Sequence, residues 1–337
     1  MLRIKKIKSL DLSYFVTSEV TTMESMFSGC TYLTYIDLSD FDTSEVTTMN
    51  GMFASCKSLT RIKLSDLDTS KVTDMDKMFE NCTDLKSLVL SGLDLSNVED
   101  MTNLFSGCTA LKSLDLSDLK LLNVISMNGM FSGCKDLTDI NLNGLQTPNV
   151  QYMIDLFSGC KDLKSLDLSG LDTSNVISMD GMFSGCKDLI SLDMSSLNTQ
   201  NVISMSNMFS GCKELTSVNI TGLDTSNLQN MKSMFYGCSS LTSLDLTGLD
   251  TSNVKKMKSM LQGCSQLIDL NMSGLDLSNV ESVENSLSKL TKLKNLNLLK
   301  TDTSILQASD TLLGGKNLEN YLPEGQSGEP DSGLRKG

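Results

Sequence analysis

The stretch LTYIDLSDFDTSEVTTMNGMFASC, residues 33–56, holds one cycle of a pattern that runs almost the whole length of the chain. It opens L-x-x-I-x-L. Ile36 and Leu38 alternate with polar neighbours, the period-two signature of a short half-buried strand. Asp40 follows, with Gly92, Gly144 and Gly170 in register at the same place, and both residue types tolerate turn backbone. Thr43, Val46, Met49, Met52, Phe53 and Cys56 then recur at three- and four-residue intervals. That spacing predicts a short amphipathic helix or 3₁₀ segment. Thr43 stands where an N-cap hydroxyl belongs, and Pro148, at the place of Ser44, suits a first helical position. Gly29, Gly107, Gly133 and Gly159 precede cysteines, where a left-handed residue would end the helix.

Ten cysteines fall at 30, 56, 82, 108, 134, 160, 186, 212, 238 and 264, so every interval is 26 residues. A repeat of this length is one supersecondary unit that cannot bury its apolar face alone, and such units stack into a solenoid. Because no coil carries an insertion, equivalent side chains must line up in rows, named below by their member in residues 30–56. The expected fold is an α/β solenoid. Twelve strand registers, from Leu10/Leu12 to Leu296/Leu298, predict a parallel concave sheet of about 11–12 short strands spaced about 4.8 Å apart. Helical segments would lie on the convex side and, being wider than strands, would curve the stack. Residues 1–22 read as an N-terminal cap, 23–282 as regular coils and 283–322 as a C-terminal cap. Residues 323–337, rich in Gly, Pro, Ser and charge, read as a disordered tail or linker.

The Met, Phe and Cys rows read as core. Methionine fills irregular gaps and contacts aromatic edges well. For the cysteines, zinc binding would need clustered ligands such as C-x₂-C, and the chain has neither such a pair nor any histidine. Disulfides between neighbouring coils would require coils to pair off, and nothing in the row alternates. Leu290 replaces the eleventh member, as expected of buried free thiols. The Thr row evokes ice-binding ladders, but Leu95, Leu121 and Leu277 interrupt it and the hydroxyl is expected to cap the backbone.

Net charge is −13, with an isoelectric point near 4.5. An acidic surface argues against nucleic acid and anionic membranes, which favour clustered Lys and Arg. Arg3, Lys5, Lys6 and Lys8 are a local exception, read as the exposed face of a capping strand. No apolar run is long enough to span a bilayer. No nucleophile–base pair, P-loop or dinucleotide fingerprint is present, so no catalytic residue, cofactor or metal ligand is assigned.

The strand rows of Tyr35, Asp37 and Ser39 are small, polar and acidic, and two places depart from that monotony. Tyr35, Arg61, Lys63 and Val89, with Asp37, fall on three consecutive coils, and Tyr and Arg are residue types that anchor interfaces. Asp167 and Asp193 are stacked carboxylates whose repulsion a cation would relieve. A hard cation wants six to eight oxygens, however, and a flat row offers fewer. These seven residues are the ligand-binding candidates.

The run Met182-Phe183-Ser184-Gly185-Cys186 and its continuation to Val202, repeated with small changes at 156–176, resembles the BspA-like leucine-rich repeat surface proteins of bacteria, in their 26-residue variety. The resemblance covers roughly residues 7–306. It implies a leucine-rich repeat fold and a non-catalytic, extracellular role in adhesion at the cell surface, with a protein or glycan ligand that it does not identify. The signal peptide and lipid-attachment cysteine of that group are missing, which points to a fragment or processed form, or else to a cytoplasmic relative. The alternative reading is a structural spacer or filament-forming subunit, since indel-free stacking makes a stiff rod whose end coils can dock into a homo-oligomer.

Overall fold

The computed structural model describes residues 7, 8, 10, 12, 14–64, 66–301 and 304–307. It is a parallel solenoid with one 26-residue coil per turn. Each strand is three residues long, with only its middle residue turned inward. Nine are formed among the described residues: β1 Tyr35–Asp37, β2 Arg61–Lys63, β3 Ser113–Asp115, β4 Asp139–Asn141, β5 Ser191–Asp193, β6 Ser217–Asn219, β7 Ser243–Asp245, β8 Asp269–Asn271 and β9 Asn295–Asn297. All pairs are parallel and in register at a 26-residue offset, as in Tyr35 with Arg61 and Ile36 with Ile62. The expected continuous sheet of 11–12 strands is instead four short ladders, β1-β2, β3-β4, β5-β6 and β7-β8-β9. The segments 87–89 and 165–167 keep the strand sequence but form no ladder. The basic residues Arg3, Lys5 and Lys6 and the tail 323–337 lie outside the described residues, as do residues 308–322 of the expected C-terminal cap.

The predicted helices are absent. The one helix among the described residues is the four-residue α1, Ser304–Gln307. Residues 49–56 form a ribbon of overlapping turns whose backbone donors alternate between two uses. The N–H groups of Met49, Gly51, Phe53 and Ser55 cross to the carbonyls of Asp74, Asp76, Met78 and Glu80 in the next coil at 2.6–2.9 Å. Those of Met52, Ala54 and Cys56 close turns onto Met49, Gly51 and Phe53 at 2.9–3.1 Å. Gly51 (φ 57°) and Ser55 (φ 62°) are left-handed, as are their equivalents along the stack. No α-helix of L-residues accommodates that.

The physical reason is spacing. The rings of the Phe row, Phe27 to Phe235, stack almost parallel with centroids 5.3–5.7 Å apart. An α-helix needs about 8–10 Å between axes, so it cannot occupy one coil of a stack with this rise. A second parallel ladder, from Thr22–Thr48 through to Lys256–Ser282, runs beside the ribbon. Both sides of the coil therefore repeat at strand spacing, and the reason for the expected curvature, wide helices opposite narrow strands, disappears.

Between these ladders lies one continuous core. Val46, Met49, Met52, Phe53, Cys56 and Leu59 are wholly buried in a single coil. Each such large side chain contributes about 1.5–3 kcal/mol of burial.

The Thr row does not cap its own coil. Six of its hydroxyls reach across to the next, such as Thr43 to the Asp68 carbonyl at 2.9 Å and Thr69 to that of Asp94 at 2.7 Å, while that of Thr225 is buried without a partner among the described residues. The row is buried, which removes it from any ice-facing surface. Local capping falls to the preceding residue. Asp42 Oδ1 accepts the N–H of Ser44 at 3.1 Å and its hydroxyl at 2.6 Å. These bonds hold the Asp42 carboxyl below its ordinary range, against a smaller opposing effect of desolvation. Where Lys120 and Gln146 replace the Asp, the two coils form a β-bridge instead.

The cysteines are free, nine buried and Cys30 partly exposed. From Cys56 to Cys264 each thiol donates to the carbonyl of a Phe 29 residues earlier, at 3.1–3.2 Å. That carbonyl also accepts the N–H of the cysteine in its own coil, as Phe53 does from Cys56 and from Cys82. Burial pushes the Cys56, Cys134 and Cys212 thiols up to about 12. The row therefore joins coils through protonated thiols as well as filling volume.

Candidate binding face

The pairing of β1 with β2 sets Tyr35 beside Arg61 and Asp37 beside Lys63, all four on the outward side of the strands. Tyr35 is 43% exposed and its hydroxyl donates to Asp37 Oδ2 at 3.1 Å. Partial desolvation, then that carboxylate, raise the Tyr35 hydroxyl above its ordinary value. Asp37 is held low, chiefly by the Ser39 N–H, which it accepts at 3.0 Å as the strand ends. Lys63 is not a free cation: its Nζ lies 2.7 Å from Asp66 Oδ2. Arg61 makes no ion pair among the described residues.

Val89 is 70% exposed and lies on the same side one coil on, in the segment that forms no ladder. The patch therefore runs from a paired edge into a gap in the sheet.

Asp167 and Asp193 are not brought together as a cation site. Each ends its own strand segment by accepting the N–H two residues on, from Ser169 and Ser195, at 2.9 Å. Asn219 Nδ2 adds a further bond to Asp193 at 2.9 Å. Both carboxyls are held low, first by those backbone bonds, and neither is raised by its neighbour. Among the described residues no three acidic, Cys or His side chains come close enough to hold a metal ion.

One regular feature escaped the sequence reading. Eight asparagines, from Asn97 to Asn279 in the Glu45 row, donate Nδ2 to a carbonyl of the preceding coil at 2.6–2.8 Å. Below them Lys71 and Glu45 make a 2.7 Å ion pair in the same row. The unbroken run of Asn at a 26-residue interval was the available signal.

A 26-residue coil with an L-x-x-L-x-L strand, a Phe ladder and a buried Cys row defines a leucine-rich repeat of the BspA-like kind. The chain matches the family described as "Mycoplasma protein of unknown function, DUF285" over residues 2–114, 88–191 and 186–301, and it belongs to that family. Among curated proteins none matches. Solved structures similar to it include a leucine-rich cell surface protein from Faecalibacterium prausnitzii, 17% identical, covering 93% of this chain and 92% of that one, with a TM-score of 0.45. A leucine-rich repeat protein from Bacteroides ovatus is 18% identical over 86% of each chain, with a TM-score of 0.43. One from Eubacterium ventriosum is 16% identical over 88% of this chain and 83% of that one, also at 0.43.

Proposed function

We propose that the chain is a non-catalytic interaction module of the cell surface whose ligand docks on the Tyr35–Arg61 patch. The observation that carries this reading is the β1–β2 register, which puts an exposed aromatic ring beside a guanidinium that makes no ion pair among the described residues, on a face mostly of Ser, Asp and Asn. Aromatic and Arg side chains are the types that dominate interface energies. The partner that fits is an acidic protein segment. Net charge of −13 opposes its approach from a distance, so binding is modest and sensitive to salt.

The test compares the intact chain with an Arg61→Ser, Lys63→Asp variant on a panel of matrix proteins and anionic glycans. The reading requires loss of protein binding in the variant with an unchanged thermal transition. Equal binding by both removes this site. Binding only to anionic glycans reassigns the partner. No binding, with end-to-end assembly that grows with concentration, favours the spacer or filament subunit.

A further inference from the structure

The chain contains three Asn-Gly steps, Asn50-Gly51, Asn128-Gly129 and Asn143-Gly144. Such a step is prone to react with itself, because glycine has no Cβ to crowd the main-chain nitrogen that attacks the asparagine amide. The attack needs two freedoms. The glycine N–H must give up its proton, and the asparagine Cγ must swing onto the nitrogen.

Folding withdraws both freedoms at two of the steps. Gly51 and Gly129 are buried in the turn ribbon, and their N–H groups donate to the carbonyls of Asp76 and Ile154 in the next coil at 2.8 and 2.7 Å. The asparagine side chains are pinned as well. Asn50 Nδ2 donates to Asp74 Oδ2 at 3.1 Å, and Asn128 Oδ1 accepts the Ile154 N–H at 2.8 Å.

The third step differs on each count. Asn143 and Gly144 are exposed, in the turn after β4 that the Leu145 N–H closes onto the Leu142 carbonyl at 3.1 Å. Among the described residues neither the Gly144 N–H nor the Asn143 side-chain amide makes a hydrogen bond. What holds the step is the backbone of Asn143, its N–H on Asn141 Oδ1 at 3.1 Å and its carbonyl under the Asp118 N–H at 3.0 Å. Asn143 is also alone in its row. From Ser39 to Ser273 the other members are Ser or Thr, which have no amide to lose.

We propose that Asn143 is a site of spontaneous covalent modification in the folded chain, through an imide formed with Gly144. The Gly144 nitrogen bonds to Asn143 Cγ and gives its proton to solvent. The Cγ–Nδ2 bond breaks, and the nitrogen takes a proton from water and leaves as ammonia. Water then opens the five-membered ring. Opening at the side-chain carbonyl gives aspartate, and opening at the main-chain carbonyl gives isoaspartate. Isoaspartate lengthens the main chain by one methylene in a stack that has no insertion, and displaces the carbonyl that holds the Asp118 N–H. Either product adds a carboxylate where that of Asp118 already lies against Gly144.

The experiment ages the full folded chain at mildly alkaline pH in heavy-oxygen water, then maps its peptides by mass spectrometry. Isoaspartate is read separately with a protein isoaspartyl methyltransferase. Asn143 should convert about tenfold or more faster than Asn50 or Asn128, the difference expected from hydrogen bonds at both reacting groups. Its products should carry heavy oxygen and include isoaspartate, and amide exchange at Asp118 should quicken with age. Asn143→Ser, the residue usual in this row, should keep the melting transition and lose the acidic species that the aged parent shows on ion exchange. In denaturant all three steps should convert alike. Equal rates in the folded chain overturn the proposal. So do aspartate without isoaspartate, the same acidic species from Asn143→Ser, or a preference for Asn143 that persists in denaturant.

Discussion

Replacing Phe131 with Ala tests whether the Phe ladder carries stability coil by coil. Phe131 is 1% exposed and sits between two parallel rings, Phe105 at 5.7 Å and Phe157 at 5.5 Å. Emptying a buried Phe site costs about 3–5 kcal/mol, including the cavity left behind. Each aromatic contact accounts for about 0.5–1.5 kcal/mol beyond area. Phe235 is equally buried but has one ring neighbour, Phe209 at 5.3 Å, with Leu261 in the row on its other side. Phe131→Ala should therefore cost about 0.5–1.5 kcal/mol more than Phe235→Ala. Phe131→Leu, which copies the residue the row uses at 261, should cost about 1.5 kcal/mol or less. Solenoid stability is approximately a sum of coil and interface terms. The assay is accordingly urea unfolding followed by circular dichroism, with native-state amide exchange locating the loosened coils at 105–157. A cost below about 2 kcal/mol for Phe131→Ala, or no excess over Phe235→Ala, refutes the stacked-ladder account.

Thiol labelling of the native chain should modify Cys30 first and reach the other nine only on unfolding; early modification of buried members, or disulfides in the mass spectrum, contradicts the row. Folded thiols such as Cys134, near 12, keep protons that unfolded thiols release from about 8.5 upward. Stability from this source is therefore complete below that lower value and is lost as pH rises through the window, a fall readable in urea midpoints. Asp42, Asp68, Asp94, Asp224 and Asp276 are lowered in the fold by their Ser partners, so their contribution is present above about 3.9 and is lost as pH drops through the folded values. Asn at all five should keep the turn, as Asn198 does with Gln200 at 3.2 Å, and flatten the acid limb of the stability curve. Gly181→Ala should lose about 1–2 kcal/mol by thermal melting, because φ is +63° and the new Cβ meets the Asp155 carboxylate; an unchanged transition would count against the left-handed row.

Much of this molecule is legible from the position of Cys30 to Cys264 alone. A 26-residue interval without insertions dictates a stack, and the stack dictates that Met49, Phe53 and Cys56 each head a buried row. The strand at Tyr35–Asp37 and the outward set Tyr35, Arg61 and Val89 follow from period-two alternation. The form of residues 49–56 does not follow, because inward positions at three- and four-residue intervals suit an α-helix and a turn ribbon equally well. The neighbouring coil decides between them: a rise near 5.5 Å leaves room only for backbone that sends every second N–H to a residue 25 positions on. Rows of Gly, Asn, Asp and Ser at the places of Gly51 and Ser55, broken by Lys77 and Lys289, encode the left-handed turns, but their meaning appears only once that rise is known. The same holds for side chains that bond between coils. Thr43 reads as a cap until Asp68 offers its carbonyl, and the Asn97–Asn279 row reads as surface until each amide finds the coil before it. At the candidate site the sequence placed the charges, and folding sorted them. Lys63 closes onto Asp66, Asp37 onto Tyr35 and Ser39, and Arg61 finds no ion pair among the described residues, because hydrogen-bond partners within reach are a property of three-dimensional position.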